Sequence, residues 1–187
     1  MRAEYENVLD DHLGKIHFTY VNTWDELLPA HWHEHLEIIY VLGGEITASI
    51  NDVSYELEKG DIFLVNSNDI HYTYTHEDAR YYLLQIPPVH LERISAKWKG
   101  LKFQELIRSK SADACVQGEQ LENVQGKGLV EMRENRKSTN RADDLYDQLR
   151  DVFRKIAGFY EEKKEGYHLL VLSAVYRLLY FLYTEGI

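Results

Sequence analysis

The sequence predicts a mainly β fold, a barrel or sandwich of short strands, followed by a C-terminal pair of α-helices. Three observations predict it. Between about residues 12 and 86, turn signals recur at spacings of roughly 8–12 residues, as expected of strands wound into a sandwich or barrel. Within the intervals apolar residues alternate with polar ones, and after residue 140 the apolar period changes from two to the helical value.

The turn signals are Gly43-Gly44, Asn51-Asp52, Lys59-Gly60-Asp61, Asn66-Ser67-Asn68-Asp69 and Glu77-Asp78. Between them Ile46, Ala48 and Ile50 alternate with Thr47 and Ser49, and Val53 to Leu57 alternates in the same way, so each strand has one buried face. Pro87-Pro88 ends the last strand, because neither residue can donate to a ladder. Residues 89 to 107 carry Leu91, Ile94, Trp98, Leu101 and Phe103 at mixed spacing around Gly100, which predicts short helical pieces crossing the barrel. The stretch 108–137 has little periodicity and reads as a loop-rich connection.

The helical third is clearer. Asn140 is the expected N-cap, with Asp143 and Asp144 in the first turn near the positive end of the dipole. Leu145, Leu149, Val152, Phe153, Ile156 and Tyr160 then follow down one face, and Gly166 is the expected stop. A second helix, Tyr167 to about Glu185, is apolar nearly all round and needs burial on more than one side. A second copy of the chain is the economical cover, with Leu172, Val175, Leu179 and Leu182 as candidate contacts. The expected segments are therefore a barrel over 1–88, a crossover over 89–140 and a helical pair over 141–187, with a homodimer formed through 141–185.

The residues that carry chemistry cluster early. His31-Trp32-His33-Glu34-His35-Leu36-Glu37 reads as one strand, whose alternation points 31, 33, 35 and 37 to the same side. His71 follows downstream of the Gly60-Asp61 turn. His31, His33, Glu37 and His71 are the predicted cluster. Tyr20, Trp24, Trp32, Tyr40 and Tyr72 are expected near it, where aromatic faces with polar edges suit a sugar ring; Tyr20 and Trp32 are taken as ligand contacts with the four. His35 is expected at the barrel mouth. No Gly-x-Ser-x-Gly nucleophile and no phosphate-cradling glycine loop is present.

The pattern His-x-His-x3-Glu-x6-Gly, from His31 to Gly44, resembles the first motif of the cupins, and Gly60-x5-Asn66-x-Asn68-x2-His71 resembles the second. Asn66 and Asn68 stand where the second motif usually has Pro and Gly, and Thr75 where it usually has Asn. The wider context resembles the N-terminal sensor domain of AraC-type transcription regulators, over roughly residues 10 to 187. That resemblance implies a cupin jelly-roll barrel, dimerisation through the helical pair and no catalysis. It also implies a small-molecule effector, most plausibly a sugar or related metabolite, with a DNA-binding helix-turn-helix domain beyond residue 187. It leaves two readings of the four residues open. They ligate a divalent transition metal such as Zn, Ni, Fe or Mn, or they line a metal-free pocket. A metal-dependent cupin enzyme, a dioxygenase or sugar isomerase, is the rival function.

Composition sets the remaining bounds. With 21 basic and 31 acidic residues the net charge is −10, spread along the chain, so residues 1–187 are not expected to bind DNA themselves. The first residues have no apolar core of the signal-peptide kind, and Cys115 is the single cysteine, which points to a reducing, cytoplasmic setting. The stretch Tyr167–Tyr183 is short for a bilayer and contains Arg177, so no membrane span is expected.

Overall fold

The computed structural model describes residues 3–8, 15–94, 98, 100–108 and 131–185; most of the predicted connection, together with Cys115, lies outside the described residues. Among the described residues, ten strands form two five-stranded sheets. The first contains β1 (Glu4–Tyr5), β3 (Glu26–Trp32), β8 (His71–Thr75), β5 (Ile46–Ile50) and β6 (Val53–Leu57), in that spatial order. The second runs β10 (Leu106–Ile107), β7 (Ile62–Val65), β4 (Leu36–Gly43), β9 (Ala79–Ile86) and β2 (His17–Thr23). All pairings are antiparallel except β1 with β3. The fold is a mainly β jelly roll with C-terminal helices, as the spacing of turns predicts.

The turns form for identifiable reasons. Asn51 and Asp52 both take left-handed φ, 47° and 70°, giving the primed turn that suits the twist of the β5–β6 hairpin. Gly44 has φ 73°, and a Cβ there would lie 2.5 Å from the Asp78 carbonyl oxygen, so only glycine fits where β4 turns against β9. Asn68, standing where the second motif has glycine, also adopts left-handed φ, 65°, a region that asparagine tolerates better than most residues. Asn66 has acquired a different task. Its amide accepts from Phe103 N at 2.8 Å and donates to Phe103 O at 3.1 Å, pinning the crossover to the barrel.

The second sheet is buried on both faces. Ile39, Val41, Phe63 and Val65 face the interior with Ile46, Ala48, Ile50 and Leu57 of the opposite sheet. Ile38, Tyr40, Leu64, Leu84 and Phe18 face outward into a larger cluster shared with the helices. This explains why β4 reads as a continuous apolar run rather than an alternating one. The covering elements are α1 (Pro88–Ile94), α2 (Glu131–Glu162) and α3 (Tyr167–Glu185). Tyr40 packs on Phe153 of α2 with ring centroids 5.6 Å apart, and Phe18 packs on Tyr160 at 5.4 Å.

Three helical expectations need correction. Helix α2 begins at Glu131, so Asn140 lies inside it rather than at its cap. The preceding run Glu131–Lys137 is mostly Glu, Arg, Lys and Met, good helix formers whose propensity extends the helix past the polar residues of 138–144. Lys163, not Gly166, closes α2: its φ is 43° and its N–H donates to the Phe159 carbonyl at 3.1 Å, a left-handed C-cap. Val175, Leu179 and Leu182 are fully buried within their own chain, and Leu172 packs beside them, because α3 turns this side onto α2 and the barrel. Val175, Leu179 and Leu182 are therefore not available to a partner. The face left open carries Leu169, Leu170, Tyr176, Tyr180 and Tyr183. Among the described residues no helix is long and apolar enough to cross a membrane.

Candidate functional site

The histidine segment is not one strand. Strand β3 ends at Trp32, residues 33–35 form a bend, and β4 begins at Leu36 in the other sheet. Parity along a single strand therefore does not place Glu37 beside His31. The chain crosses between sheets at this corner, and the crossing itself folds His33 back over Glu37. His33 Nε2 lies 3.0 Å from Glu37 Oε2. On the other side His31 pairs directly with His71 across β3 and β8, their rings 4.1 Å apart. His71 Nε2 is 3.8 Å from the second Glu37 oxygen. The structure brings all four predicted residues together, each buried.

Each imidazole is oriented by a backbone carbonyl. His31 Nδ1 meets Pro29 O at 2.8 Å, His33 Nδ1 meets His35 O at 3.2 Å, and His71 Nδ1 meets Asp69 O at 3.0 Å. A carbonyl can only accept, so all three Nδ1 atoms carry the proton and donate it. In the neutral rings Nε2 is then a lone pair, and all three face the cluster, lying within 4.8 Å of one another. Among the described residues, His31 Nε2 and His71 Nε2 are buried with no hydrogen-bond partner. An unmade buried hydrogen bond costs about 1–3 kcal/mol, so a ligand or ion that met these two atoms would be favoured.

Electrostatics sharpen the picture. Burial acts to lower the His33 pKa, but the hydrogen bond and charge of Glu37, with the charge of Glu6, outweigh it and the pKa is raised. Burial pushes Glu37 up, yet its bonds to His33 and Gln85 and the neighbouring imidazoles hold it at about 2. His71 moves the other way, lowered chiefly by burial. With Nδ1–H already donated, His33 Nε2 can face the Glu37 carboxylate favourably only as an imidazolium or with a cation between them. Three imidazole nitrogens within 4.8 Å of one another, with the Glu37 carboxylate beside those of His33 and His71, form a donor set that suits a divalent transition metal.

Other residues join the site without having been expected. Gln85 lies opposite Glu37 in register and donates to it at 2.8 Å. Its signal was a polar side chain in the apolar run Tyr81–Ile86. Glu6 brings a carboxylate to 3.7 Å from His31 Nε2 and 3.8 Å from His33 Nε2, held by the parallel pairing of β1 on β3; nothing local in the sequence announces that contact. The cluster opens into a cavity of about 170 Å³ whose lining includes Glu6, His17, His31, Glu37, Thr73 and Tyr81. Burial, then the charges of Glu37 and Glu26, push the Tyr81 phenol up to about 12, so it stays a neutral donor.

The expected aromatic contacts lie elsewhere. Trp32 alternates with His31 and His33, points away and packs edge-on against Tyr5 at 4.9 Å. Tyr20 is half exposed on the outer face of β2 beside Tyr82. Tyr40 faces the helices, Trp24 is exposed, and Tyr72 points opposite to its neighbour His71. Strand propensity alone explains their number. His35 sits at the bend with its ring edge-on to His33, 5.9 Å away, outside the donor set.

The sequence profile of the AraC-like ligand binding domain matches residues 14–179. This chain belongs to that family. No curated protein matches the chain. Among solved structures it is similar to a conserved protein of unknown function from Streptococcus pyogenes, at 16% identity and a TM-score of 0.38 over 39% of this chain and 65% of that one. It is also similar to an RmlC-like cupin from Shewanella frigidimarina, at 20% identity and a TM-score of 0.37 over 38% of this chain and 66% of that one. A predicted oxalate decarboxylase from Thermotoga maritima matches at 22% identity and a TM-score of 0.35, over 37% and 64%. The chain thus spans a little under two thirds of the length of these structures.

Proposed function

We propose that this AraC-like domain senses a small polar metabolite, a sugar or sugar acid, at the His31, His33, Glu37 and His71 cluster, and does not turn it over. The observation that carries the reading is the pair of buried, unpartnered Nε2 atoms on His31 and His71, aimed at a common centre. A divalent transition metal or the hydroxyls of a ligand would satisfy them. The cavity of about 170 Å³ has room for about six waters, so a ligand the size of one sugar ring fits better than an oligosaccharide.

Ligand binding would favour one arrangement of barrel and helices over another and so carry occupancy to a DNA-reading unit. The helices supply the second half of the proposal, a homodimer through 141–185. On α3, Leu169, Ser173, Tyr176, Tyr180 and Tyr183 follow one another at alternating intervals of four and three residues, the spacing of a coiled-coil seam. Leu169 is 64% exposed and Tyr180 62% exposed, whereas Tyr176 bonds His90 and Tyr183 stacks on Trp98, so the seam is open chiefly at Leu169 and Tyr180. A second copy laid along the same seam is the self-complementary cover that a twofold dimer requires.

A thermal-shift screen of sugars and sugar acids, with and without Zn, Ni, Fe or Mn, tests the sensor. One class should stabilise the protein, and His33→Ala should remove the response. Metal-dependent consumption of a compound, lost in the same variant, would favour the cupin-enzyme reading. Sedimentation at micromolar concentration tests the dimer: Tyr180→Glu should yield monomers, whereas Val175→Ala should alter stability and leave assembly intact.

A further inference from the structure

A second cavity lies on the opposite face of β4 from the histidine cluster, between the outside of the barrel and α2, with a volume of about 570 Å³. We propose that it binds a small metabolite bearing a phosphate or carboxylate group. Two kinds of donor converge there. The tyrosines Tyr40 on β4, Tyr82 on β9 and Tyr146 on α2 line it from both sides. None of their hydroxyls has a hydrogen-bond partner among the described residues. Burial raises the Tyr82 and Tyr146 phenols, with Glu161 adding to the first and Tyr40 to the second, so both remain protonated donors.

The charges are the more selective feature. Tyr146, Arg150, Arg154, Gly158 and Glu161 follow at intervals of four, four, four and three, one stripe of α2 turned to the cavity. Lys59 faces them from the β6–β7 turn and forms no ion pair among the described residues. Lys59, Arg150, Arg154 and Glu161 all reach the lining, with Asp147 and Asp151 of the same helix beside the two arginines, so Lys59 and the free Arg150 N–H are the cationic groups left for a ligand. Arg150 is poised rather than spent. Its Nη1 pairs with Asp147 at 2.8 Å and its Nη2 lies 3.6 Å from Asp151, while its Nε is buried without a hydrogen-bond partner among the described residues. An oxyanion satisfies such a guanidinium N–H and accepts from phenols at the same time.

Space is left for it. Positions 157 and 158 are Ala and Gly, and a Cβ added at Gly158 meets nothing within 4 Å. Occupancy would bridge β4, β9 and α2, the elements through which the barrel contacts its helices. The site is independent of the sensor reading above, because Tyr40 and Glu37 point to opposite faces of the same strand.

Calorimetric titration and thermal shift with inorganic phosphate, glucose 6-phosphate and glucuronate, against glucose and matched sodium chloride, test the proposal. At least one anion should bind saturably, while glucose and chloride do not. The choice between phosphate and carboxylate follows from which probe binds. Arg150→Gln should weaken that binding about tenfold, the loss of one charge-assisted hydrogen bond. Gly158→Leu should abolish it by filling the cavity, with no loss of unliganded stability, since leucine is the better helix former. Glu37→Gln should leave it unchanged. Failure of all three anions to exceed the salt control overturns the proposal, as does binding that survives Gly158→Leu. Binding lost in Glu37→Gln would put the anion in the barrel instead.

Discussion

Glu37 and Asp61 are both buried carboxylates at the two ends of the same β4–β7 pairing, and their surroundings differ in kind. Asp61 accepts Arg108 Nε at 2.7 Å and Arg108 Nη2 at 2.5 Å, together with the Glu58 backbone N–H at 2.8 Å. Its partner is permanently charged and its oxygens are engaged. Glu37 has no arginine among these partners. It is met by Gln85, by His33 and, farther off, by His71, groups that can lose their charge or bind something else. The first carboxylate fastens a turn. The second is part of a centre that a ligand would complete.

The comparison is broken most easily at Asp61. Asp61→Ala removes the Arg108 salt bridge, leaving that guanidinium its bond to the Glu56 carbonyl, and takes an acceptor from the Glu58 N–H; it should cost about 3 kcal/mol, the low end for a buried pair because Arg108 is partly exposed. Urea unfolding measures it. Glu37→Gln should cost less than Asp61→Ala without ligand: the charge that holds His33 protonated is lost, but an amide oxygen can still accept from Gln85 and His33 can fall back to its neutral form. If the two losses were equal, Glu37 would be a structural residue like Asp61, and the argument for a site there would weaken.

The second effect runs in the other direction. A ligand or metal that binds only the folded state at 100 times its dissociation constant stabilises by about 2.7 kcal/mol. Glu37→Gln and His71→Ala should abolish that gain, and Asp61→Asn should retain it on a less stable protein. Retention of the gain in Glu37→Gln would separate the ligand site from the cluster.

How far this contrast was legible in the sequence differs by residue. His31, His33, Glu37 and His71 could be singled out because the cupin spacing survives in them, although the single-strand reasoning offered for their convergence does not hold. The corner between β3 and β4 is a change of sheet, and alternation of side chains carries no information about where a strand stops. Glu6 and Gln85 escaped because their roles are set by pairing across long separations, β1 on β3 and β9 on β4. Helix α3 shows the same limit. Its bounds follow from composition, but which of its apolar faces turns inward depends on α2 and the barrel. The choice of Val175, Leu179 and Leu182 as exterior contacts therefore failed, while the tyrosine face was left open. Local chemistry was readable; facing was not.

The smallest effect tests the histidines against each other in chelator-treated protein. His33 has its pKa raised by Glu37 over the opposing influence of burial, so its contribution is fully present below the unfolded value near 6.5 and is lost as pH rises through the raised folded value. His71 has its pKa lowered by burial, so its contribution is present above about 6.5 and is lost as pH falls through that value towards its lower folded pKa. The two slopes oppose, and the wild-type stability should be nearly flat around pH 6.5. His33→Asn should expose the His71 slope, with stability falling as the solution is acidified. His71→Asn should expose the His33 slope, with stability falling as pH rises. Asp61→Asn should leave the flat profile where it is, because its partner arginine does not titrate in this range. Urea midpoints across pH 5.5 to 8, roughly the span in which histidine changes charge, decide the matter. Parallel slopes in the two histidine variants would mean that the imidazoles do not hold the distinct charge states that the carbonyl-bound Nδ1 atoms and the shared carboxylate impose.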